Sequence, residues 1–308
     1  MKIFNSIQEI KDIDKTVIAV GNFDGVHRGH QQLIKRSIND AESSGSKSAV
    51  FTFSNHPRNV ISNDPVKNIL DPEEKIAIFE DLGIDYLFNI PFTMDIASMS
   101  ARKYVEELLL KKFRMREVCC GFNYRFGSKA AGDTKLLMEL SLEKEFGIHV
   151  MEPVVIDGEV VSSTIIRKAI EDGDIRKCNK LLGRSYSIGG EVVVGNKLGR
   201  TIGFPTSNLI IDDTMVTPPS GVYITYCSYN GVRYPSITNV GFKPTIGEYD
   251  KNVETHIFDF DSILYGKNIK VEFVKMIRTE KKFDSIDDLK KQITDDCIKV
   301  KAYHRSVM

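Results

Sequence analysis

The chain has 308 residues, about twice the usual size of a single domain, so we expect two domains. Hydrophobic residues make up 42% of the chain and charged residues 27%, values that argue against a disordered, collagen-like or membrane-embedded protein. Basic and acidic residues both number 42, and this zero net charge argues against tight non-specific binding to nucleic acid or to an anionic membrane surface. A small anionic ligand stays compatible with neutrality, because it needs only a few local donors.

The five cysteines form no C-x-x-C pair and their number is odd, which argues against a disulfide framework and against a zinc ribbon. We expect them to be small residues of the core. Charges interrupt the N-terminal residues every few positions. No segment approaches the roughly 18 uncharged apolar residues of a membrane-spanning helix. We therefore expect a cytoplasmic protein.

Strands and helices alternate through the first part of the chain. The run TVIAVGN at 16–22 is apolar and β-branched, as expected for a buried strand of a parallel sheet, and apolar residues recur at helical spacing after His30. This alternation predicts an open α/β sheet of the Rossmann-like type, whose ligand crevice lies at the carboxyl ends of the strands. Further strands are predicted over 48–54, 86–90 and 117–121, and further helices over 73–82 and 101–113.

A long helical segment is predicted to close this first part. It covers 162–184, with the sequence SSTIIRKAIEDGDIRKCNKLLGR, and Ser162 or Ser163 is placed to cap its first turn. We place the domain boundary at its end, so that the first domain comprises 1–183 and the second 184–308.

The second part has the pattern of a small antiparallel β-structure. Between 186 and 278 helical spacing disappears and five or more short β-branched runs follow one another, which predicts a barrel or a sandwich. Asn230-Gly231 between two of these runs predicts a tight hairpin. A final helix is predicted from about Ser285.

The stretch GNFDGVHRGHQ at 21–31 follows the first predicted strand and opens a helix. Its glycine spacing fits neither a dinucleotide-binding turn nor a Walker loop. His27 and His30, together with free backbone amides and the positive end of the helix, favour a receptor for phosphate oxygens. Two alternatives remain: a glycine-rich turn with two solvent histidines, and a two-histidine metal site, which lacks a third local ligand.

This stretch resembles the H-x-G-H nucleotidyltransferases, and the longer match is similar to the FMN adenylyltransferase half of the bifunctional riboflavin kinase/FAD synthetases. FTFSNHPR at 51–58 is similar to the flavin-side strand of that family, with Asn55 where proline is common. GFNYRFG at 121–127 matches its GxxFRFG loop, with Tyr124 in the usual Phe place. VSSTIIR at 161–167 matches ISSTxIR, the family's second phosphate loop.

The resemblance implies roles for these residues in adenylyl transfer, which requires alignment and charge stabilisation and no protein nucleophile. His27 and His30 hold the transferring phosphates, Arg167 helps to take the leaving pyrophosphate, and Asn123 orients a substrate phosphate or Mg²⁺. The residues implied for ATP and phosphate contacts are Gly21, Phe23, Asp24, Gly25, His27, His30, Ser162, Ser163, Thr164 and Arg167. Those implied for the flavin are Phe53, His56, Pro57, Asn123 and Arg125.

A second group of polar residues lies in the β part. The loop GNKLGRTIGFPTSN at 195–208 presents Thr206 and Asn208 two residues apart, and such neutral oxygens suit Mg²⁺ that is held mainly by nucleotide phosphates. Glu254 lies in a β-branched run and is a candidate base for a hydroxyl proton. Read without any resemblance, a structural threonine and a solvent-facing glutamate explain the same pattern.

The loop is similar to the riboflavin kinase motif GRxxGFPTAN, and GVY at 221–223, NVGFKPTIG at 239–247 and LYGK at 264–267 follow in family order. The resemblance implies that Thr206 and Asn208 bind Mg²⁺–ATP and that Glu254 is the base on the riboflavin 5′-hydroxyl. The further residues implied for ATP contacts are Gly199, Arg200 and Gly203, with Thr206. Leu198 stands where the family commonly has an arginine, and Lys197 is a candidate to replace that arginine in contacts with the ATP phosphates.

Taken together, the resemblance implies a Rossmann-like nucleotidyltransferase domain, then a six-stranded riboflavin kinase barrel with a C-terminal helix. It implies that the small-molecule partners are riboflavin, FMN and ATP with Mg²⁺, and that the products are FMN and then FAD. A homo-oligomer stays open. Two alternatives remain: an enzyme in which only the adenylyltransferase half works, prompted by Leu198, and a flavin-binding regulator on the same scaffold. The retained side chains of both motifs favour an enzyme.

Overall fold

The computed structural model describes residues 1–62, 65–195, 198–245 and 248–307. Its chain forms two compact units, one of Met1–Asn68 with Pro72–Ser163 and one of Ile69–Asp71 with Thr164–Met308. The division between Ser163 and Thr164 falls near the start of the helical segment 162–184, which the sequence analysis placed in the first domain. The boundary between 183 and 184 stays a prediction. No helix within the described ranges is long and apolar enough to cross a membrane.

The first unit is built on a six-stranded sheet in which every pair is parallel. All five residues of its second strand are buried, because helices cover the sheet and β-branched side chains suit both faces. The α/β prediction is therefore confirmed. The strands are β1 (Lys2–Phe4), β2 (Thr16–Val20), β3 (Lys47–Phe53), β4 (Tyr86–Ile90), β5 (Met115–Gly121) and β6 (Gly147–Met151). A separate two-stranded sheet joins β7 (Val155–Ile156) and β8 (Glu159–Val160).

The helices of this unit differ in regularity. In the first, Leu33, Ile34 and Ala41 are buried at helical spacing, and Gly45 ends the helix with a left-handed φ of +62°. The helix predicted over 101–113 starts as one α-turn and continues as a π-helix over Tyr104–Lys112, a widening that the apolar spacing did not indicate. The α-helices are α1 (Arg28–Ser44), α2 (Arg58–Ile61), α3 (Pro72–Leu82), α4 (Met94–Ser98), α5 (Ala101–Lys103) and α6 (Thr134–Lys144). Short 3₁₀ turns cover Ile7–Glu9 and Ser128–Ala130.

The strand order β1-β4-β3-β2-β5-β6 decides where a ligand can bind. From β2 the chain proceeds outward through β3 and β4 on one side, whereas β5 and β6 lie on the other side. The order therefore reverses between β2 and β5, and the connections that leave their carboxyl ends diverge and open a crevice. The loops after β2 and β5 both end at this crevice, and they carry the histidine motif and Asn123 respectively.

The segment 162–184 was predicted to be helical, and it forms two helices, α7 (Ser163–Glu171) and α8 (Ile175–Leu182). Gly173 between them has a φ of +76°, and the Asp174 side chain accepts a hydrogen bond from the Lys177 amide at 3.1 Å as the cap of α8. A left-handed glycine followed by an N-cap residue interrupts the helix even though the apolar spacing continues across it.

The second unit contains a closed six-stranded barrel in the order β10-β13-β12-β11-β14-β9, which confirms the barrel. Asn230 and Gly231, with φ of +48° and +76°, form the predicted tight turn between two of its strands. The strands are β9 (Tyr186–Val193), β10 (Ser207–Ile210), β11 (Gly221–Tyr229), β12 (Val232–Thr245), β13 (Glu248–Ile257) and β14 (Asn268–Thr279). One helical turn, α9 (Leu198–Thr201), precedes β10, and α10 (Ile286–Val307) closes the chain.

Helix α10 packs on one face of the barrel. Its Cys297 and Val300 join an apolar cluster with Val222 and Ile224 of β11. The five cysteines of the chain are free and buried, as predicted. Closure of the sheet into a barrel leaves it without an open edge.

Two candidate active sites

The loop between β2 and α1 has an unusual backbone. Phe23, Gly25 and Val26 have φ of +49°, +80° and +35°, although the two larger residues disfavour this region by about 1–2 kcal/mol each. Phe23 and Val26 are both completely buried, so packing holds the loop in its strained shape. The loop therefore presents His27 and its neighbours in one defined arrangement.

The structure brings the two predicted histidines into contact at the start of α1. Their ring centroids lie 3.6 Å apart with an angle of 15° between the planes. The Nδ1 atom of His27 accepts a hydrogen bond from the His30 amide at 3.3 Å, which caps the helix. A neutral His27 ring therefore carries its proton on Nε2, where it can donate to an anion. The edge of Phe23 supports the His30 ring at a centroid distance of 5.1 Å.

The second predicted phosphate loop meets the first through a hydrogen bond. The hydroxyl of Ser163 donates to the main-chain carbonyl of Asp24 at 2.8 Å, so the first residue of α7 is attached to the histidine loop. Ser162 beside it is half-buried. Thr164 and Arg167 belong to the second compact unit, and their approach to the histidines stays a prediction.

The alternative of a metal site at the histidines gains no support. Among the residues that the structure describes, one group of three His, Cys, Asp or Glu side chains has its ligand atoms close together, and it contains neither histidine. That group, Asp40, Glu117 and Cys119, joins α1 and β5, and the Asp40 carboxylate already pairs with Arg36 at 2.6 Å.

Lys75 of α3 is a residue of this site that the sequence analysis missed. Its Nζ atom donates to the Asn22 carbonyl at 2.8 Å, to the Thr52 hydroxyl at 2.9 Å and to the Phe53 carbonyl at 3.5 Å. Burial lowers the pKa of Lys75 to about 8, against the opposing effect of the Asp24 carboxylate. No local sequence signal distinguishes this lysine from those on a solvated helix face.

The residues predicted for the flavin follow β3. Phe53 ends the strand half-buried, and its ring meets the Phe92 ring edge-on at a centroid distance of 4.9 Å. Asn55 binds the main chain of Phe92 twice, accepting from its amide at 2.7 Å and donating to its carbonyl at 3.1 Å. His56 accepts from the Arg58 amide at 3.2 Å, and Pro57 immediately precedes α2. Asn55, which departs from the family pattern, thus ties this loop to the end of β4.

The loop after β5 carries the other predicted substrate residues. Asn123 is exposed. Arg125 pairs with Asp133 at 3.5 Å. The Tyr124 hydroxyl binds the Tyr104 hydroxyl at 2.7 Å, and burial raises the pKa of both tyrosines. Asn123 thus follows β5, the strand next to the one that precedes the histidine loop, while Arg125 is held by an ion pair.

In the barrel, Glu254 and Asn208 lie directly opposite each other on β13 and β10. Between them the structure adds Asn252, which the sequence analysis missed. Its Nδ2 atom donates to the Glu254 carboxylate at 2.9 Å and to the Asn208 amide oxygen at 3.2 Å. Asn252 and Asn208 are 5% and 4% exposed, so this amide holds both predicted functional oxygens in place. Its position two residues before Glu254 on the same strand face was the available signal.

The loop before β10 is folded tightly against this cluster. The Phe204 amide donates to the Gly199 carbonyl at 2.7 Å, and a Cβ atom on Gly199 would collide with the Phe204 carbonyl. Gly203 has a φ of +91°, and Arg200 is exposed in α9. His256 of β13, which contacts this loop, was likewise missed. Leu198 begins α9, whereas Asn196 and Lys197 lie outside the described residues.

His256 connects Glu254's strand to the residue before Thr206. Its Nδ1 atom binds the Pro205 carbonyl at 2.8 Å, and because a carbonyl only accepts, Nδ1 carries the proton. Burial lowers the pKa of His256, so the ring stays neutral near pH 7. This contact holds Thr206 at the base of β10, beside Asn208.

The donor set fits Mg²⁺. The Asn208 amide oxygen, which accepts a hydrogen bond from Asn252, is one neutral oxygen of this site, and the hydroxyl of half-buried Thr206 is a second. Two neutral oxygens cannot hold the ion alone, and they match Mg²⁺ that keeps several waters and is bound mainly by nucleotide phosphates.

Comparison with known proteins identifies the family of each part of the chain. The FAD synthetase family model matches residues 9–165 and the riboflavin kinase family model matches residues 182–304. The chain is 37% identical to the bifunctional riboflavin kinase/FMN adenylyltransferase of Bacillus subtilis (strain 168), over 92% of this chain and 90% of the relative. It is 33% identical to the protein of that name from Escherichia coli (strain K12), over 96% of each chain.

A crystal structure described as a macrolide-efflux protein from Streptococcus pneumoniae has the same fold, with a TM-score of 0.87 and 30% identity over 97% of this chain and 98% of that one. Its name concerns that protein, and the likeness supports the fold. The two family models and the near-complete coverage of the relatives decide the identity. The chain belongs to the family of bifunctional riboflavin kinase/FMN adenylyltransferases.

Proposed function

We propose that this chain makes both flavin cofactors. Its barrel phosphorylates riboflavin with ATP and gives FMN and ADP, and its parallel-sheet unit transfers AMP from ATP to FMN and gives FAD and pyrophosphate. The observation that carries the proposal is the presence of two polar clusters in two separately packed units, the Glu254–Asn252–Asn208 cluster and the stacked His27–His30 pair. Two successive reactions on different phosphates need two such sites.

In the kinase reaction, the Glu254 carboxylate accepts the proton of the riboflavin 5′-hydroxyl as that oxygen forms a bond to the γ-phosphorus of ATP. The bond between the γ-phosphorus and the bridging oxygen breaks, and ADP leaves. Asn252 orients Glu254 for this step. Thr206 and Asn208 are the residues that would hold Mg²⁺, which neutralises phosphate charge when bound. Gly199, Arg200 and Gly203 line the ATP side in this proposal.

In the adenylyl transfer, an FMN phosphate oxygen forms a bond to the α-phosphorus of ATP, and the bond to the departing pyrophosphate breaks. Phosphate supplies its own nucleophile, so the protein aligns the groups and stabilises charge. His27 and His30 donate to the transferring phosphate from the end of α1. Ser163 and Arg167 at α7 take the pyrophosphate side, together with Ser162 and Thr164.

The test incubates the purified full chain with riboflavin, ATP and Mg²⁺ and separates the flavins over time. FMN should appear first and FAD later, and EDTA should stop FMN formation. FAD made only from added FMN would leave an adenylyltransferase with a silent kinase half, the outcome that Leu198 prompts. Flavin binding without any turnover would leave a regulator and contradict the proposal.

Two variants separate the sites. Glu254→Gln should abolish FMN formation and spare FAD synthesis from added FMN, because it removes only the base in the barrel. His30→Ala should do the reverse. Each variant controls for the folding of the other, and loss of both activities in either one would contradict separate sites.

We place the boundary between the two catalytic parts between residues 183 and 184, where Gly183 caps the end of α8 with a φ of +76°.

A further inference from the structure

The ammonium of Lys75 lies at the carboxyl ends of two adjacent strands, β2 and β3. It donates to the Asn22 carbonyl just after β2 and to Thr52 and Phe53 at the end of β3, at 2.8, 2.9 and 3.5 Å. The Thr52 hydroxyl itself donates to the Asn22 carbonyl at 2.9 Å. One side chain thus connects the histidine loop, the third strand and helix α3.

A second side chain of α3 supports the same loop. Phe79 lies one helical turn after Lys75, on the same face, and is completely buried. Its ring meets the Phe23 ring edge-on at a centroid distance of 5.9 Å, and Phe23 in turn contacts His30 at 5.1 Å. Lys75 anchors the start of the loop, while Phe79 supports Phe23, the first of its three residues with a left-handed φ. Helix α3 therefore supports the strained loop at two points.

The charge of Lys75 also matters. The Asp24 carboxylate on the loop favours the protonated form of Lys75. The ends of β2 and β3 present two carbonyl oxygens and one hydroxyl to the Lys75 ammonium. Burial opposes the charge and lowers the pKa of Lys75 to about 8, so the ammonium is the main form at pH 7. Hydrogen bonds from a charged donor are stronger than neutral ones. The site thus keeps a half-buried positive charge beside the loop that is proposed to bind the phosphates.

We propose that Lys75 is a positioning residue for adenylyl transfer, which ties the loop of residues 21–30 to the end of β3 and adds positive charge beneath the bound phosphates. The inference rests on the proposed adenylyltransferase function of this site. Lys75 acts through the loop and through its field, because its three contacts are all to protein oxygens. Its removal should misplace His27 and His30 relative to the α-phosphorus.

The experiment compares Lys75→Met and Lys75→Arg in the full chain, with Lys103→Met as the matched control at an exposed lysine. FAD synthesis from FMN and FMN formation from riboflavin are measured separately. Lys75→Met should lower the kcat of FAD synthesis roughly tenfold to a hundredfold, the loss expected when charge-assisted hydrogen bonds disappear. KM for ATP should change much less, and FMN formation should match that of Lys103→Met. Lys75→Arg should recover part of the lost rate.

The pH profile distinguishes this role from a structural one. Wild-type FAD synthesis should fall as the pH rises through about 8, where the ammonium loses its proton. In Lys75→Arg the guanidinium stays protonated, so this alkaline decline should disappear. Full FAD synthesis by Lys75→Met overturns the inference. So does a wild-type rate that stays flat from pH 7 to 9, which decides the question even where the variants fail to fold. A wild-type chain that makes no FAD at all would instead refute the proposed function.

Discussion

Replacing Asn252 by aspartate tests whether the barrel cluster positions the base of the kinase reaction. In the structure the Asn252 amide donates to Glu254 at 2.9 Å and to Asn208 at 3.2 Å. Aspartate has the same shape and no donor, so it removes both hydrogen bonds and places a second carboxylate against Glu254. The substitution therefore changes charge and hydrogen bonding while it leaves the packing of the strand unchanged.

The size of the effect follows from these contacts. A hydrogen bond to a charged group contributes about 1.5–3 kcal/mol. Two full charges at the observed separation would repel by about 6 kcal/mol at an effective dielectric constant of about 20. The two carboxyls reduce this repulsion by sharing a proton. Solvent also screens part of the repulsion, because Glu254 is only half-buried. We expect a net loss of about 2–3 kcal/mol in transition-state stabilisation, which is roughly 30-fold to 150-fold in FMN formation.

The assay measures FMN formation from riboflavin between pH 6 and 9. Aspartate at 252 should lower the rate and move the acidic limb of the profile to higher pH, because two adjacent carboxyls share a proton more readily than one carboxyl binds it. Asn230→Asp is the matched control, since it makes the same chemical change in the exposed turn of the same barrel. FAD synthesis from added FMN should be normal in both variants. Wild-type FMN formation with an unshifted profile in Asn252→Asp would refute the reasoning.

Two further predictions concern the histidine loop and the barrel core. Ser163→Ala removes the donor to the Asp24 carbonyl and should slow FAD synthesis roughly threefold to tenfold with FMN formation unchanged, whereas Ser43→Ala on the exposed face of α1 should have no effect. Burial lowers the pKa of His304, which is 2% exposed, so the unfolded chain binds a proton at a pH where the folded barrel does not. Its contribution to the free energy of unfolding is therefore complete above about pH 6.5 and decreases as the pH falls below that value. Denaturant unfolding at pH 7.5 and 5.5 should show a smaller difference for His304→Gln than for wild type, and an equal difference would contradict this source of acid sensitivity.

Much of the architecture could be predicted because it depends on local pattern. The β-branched run at 16–20 is buried on both faces wherever it lies in a parallel sheet, and Asn230-Gly231 forms a tight turn through its own backbone preferences. The histidines could be found because strand, glycine-rich turn and helix follow one another within a few residues. Local pattern failed where backbone detail decided the outcome, as at Gly173, which divides a segment with continuous apolar spacing.

The amino-acid sequence was sufficient to predict the fold class of each part, the order of the motifs and the chemical groups available to each site. Which other side chains hold those groups in place depends on the three-dimensional packing. Lys75 meets Asn22 across 53 residues, and Asn252 meets Asn208 across 44. These contacts depend on the order of the strands in the sheet and on the register between β10 and β13. Strand order and register arise from the packing of the whole unit, so no short stretch of sequence carries a signal for Lys75 or identifies the two acceptors of Asn252.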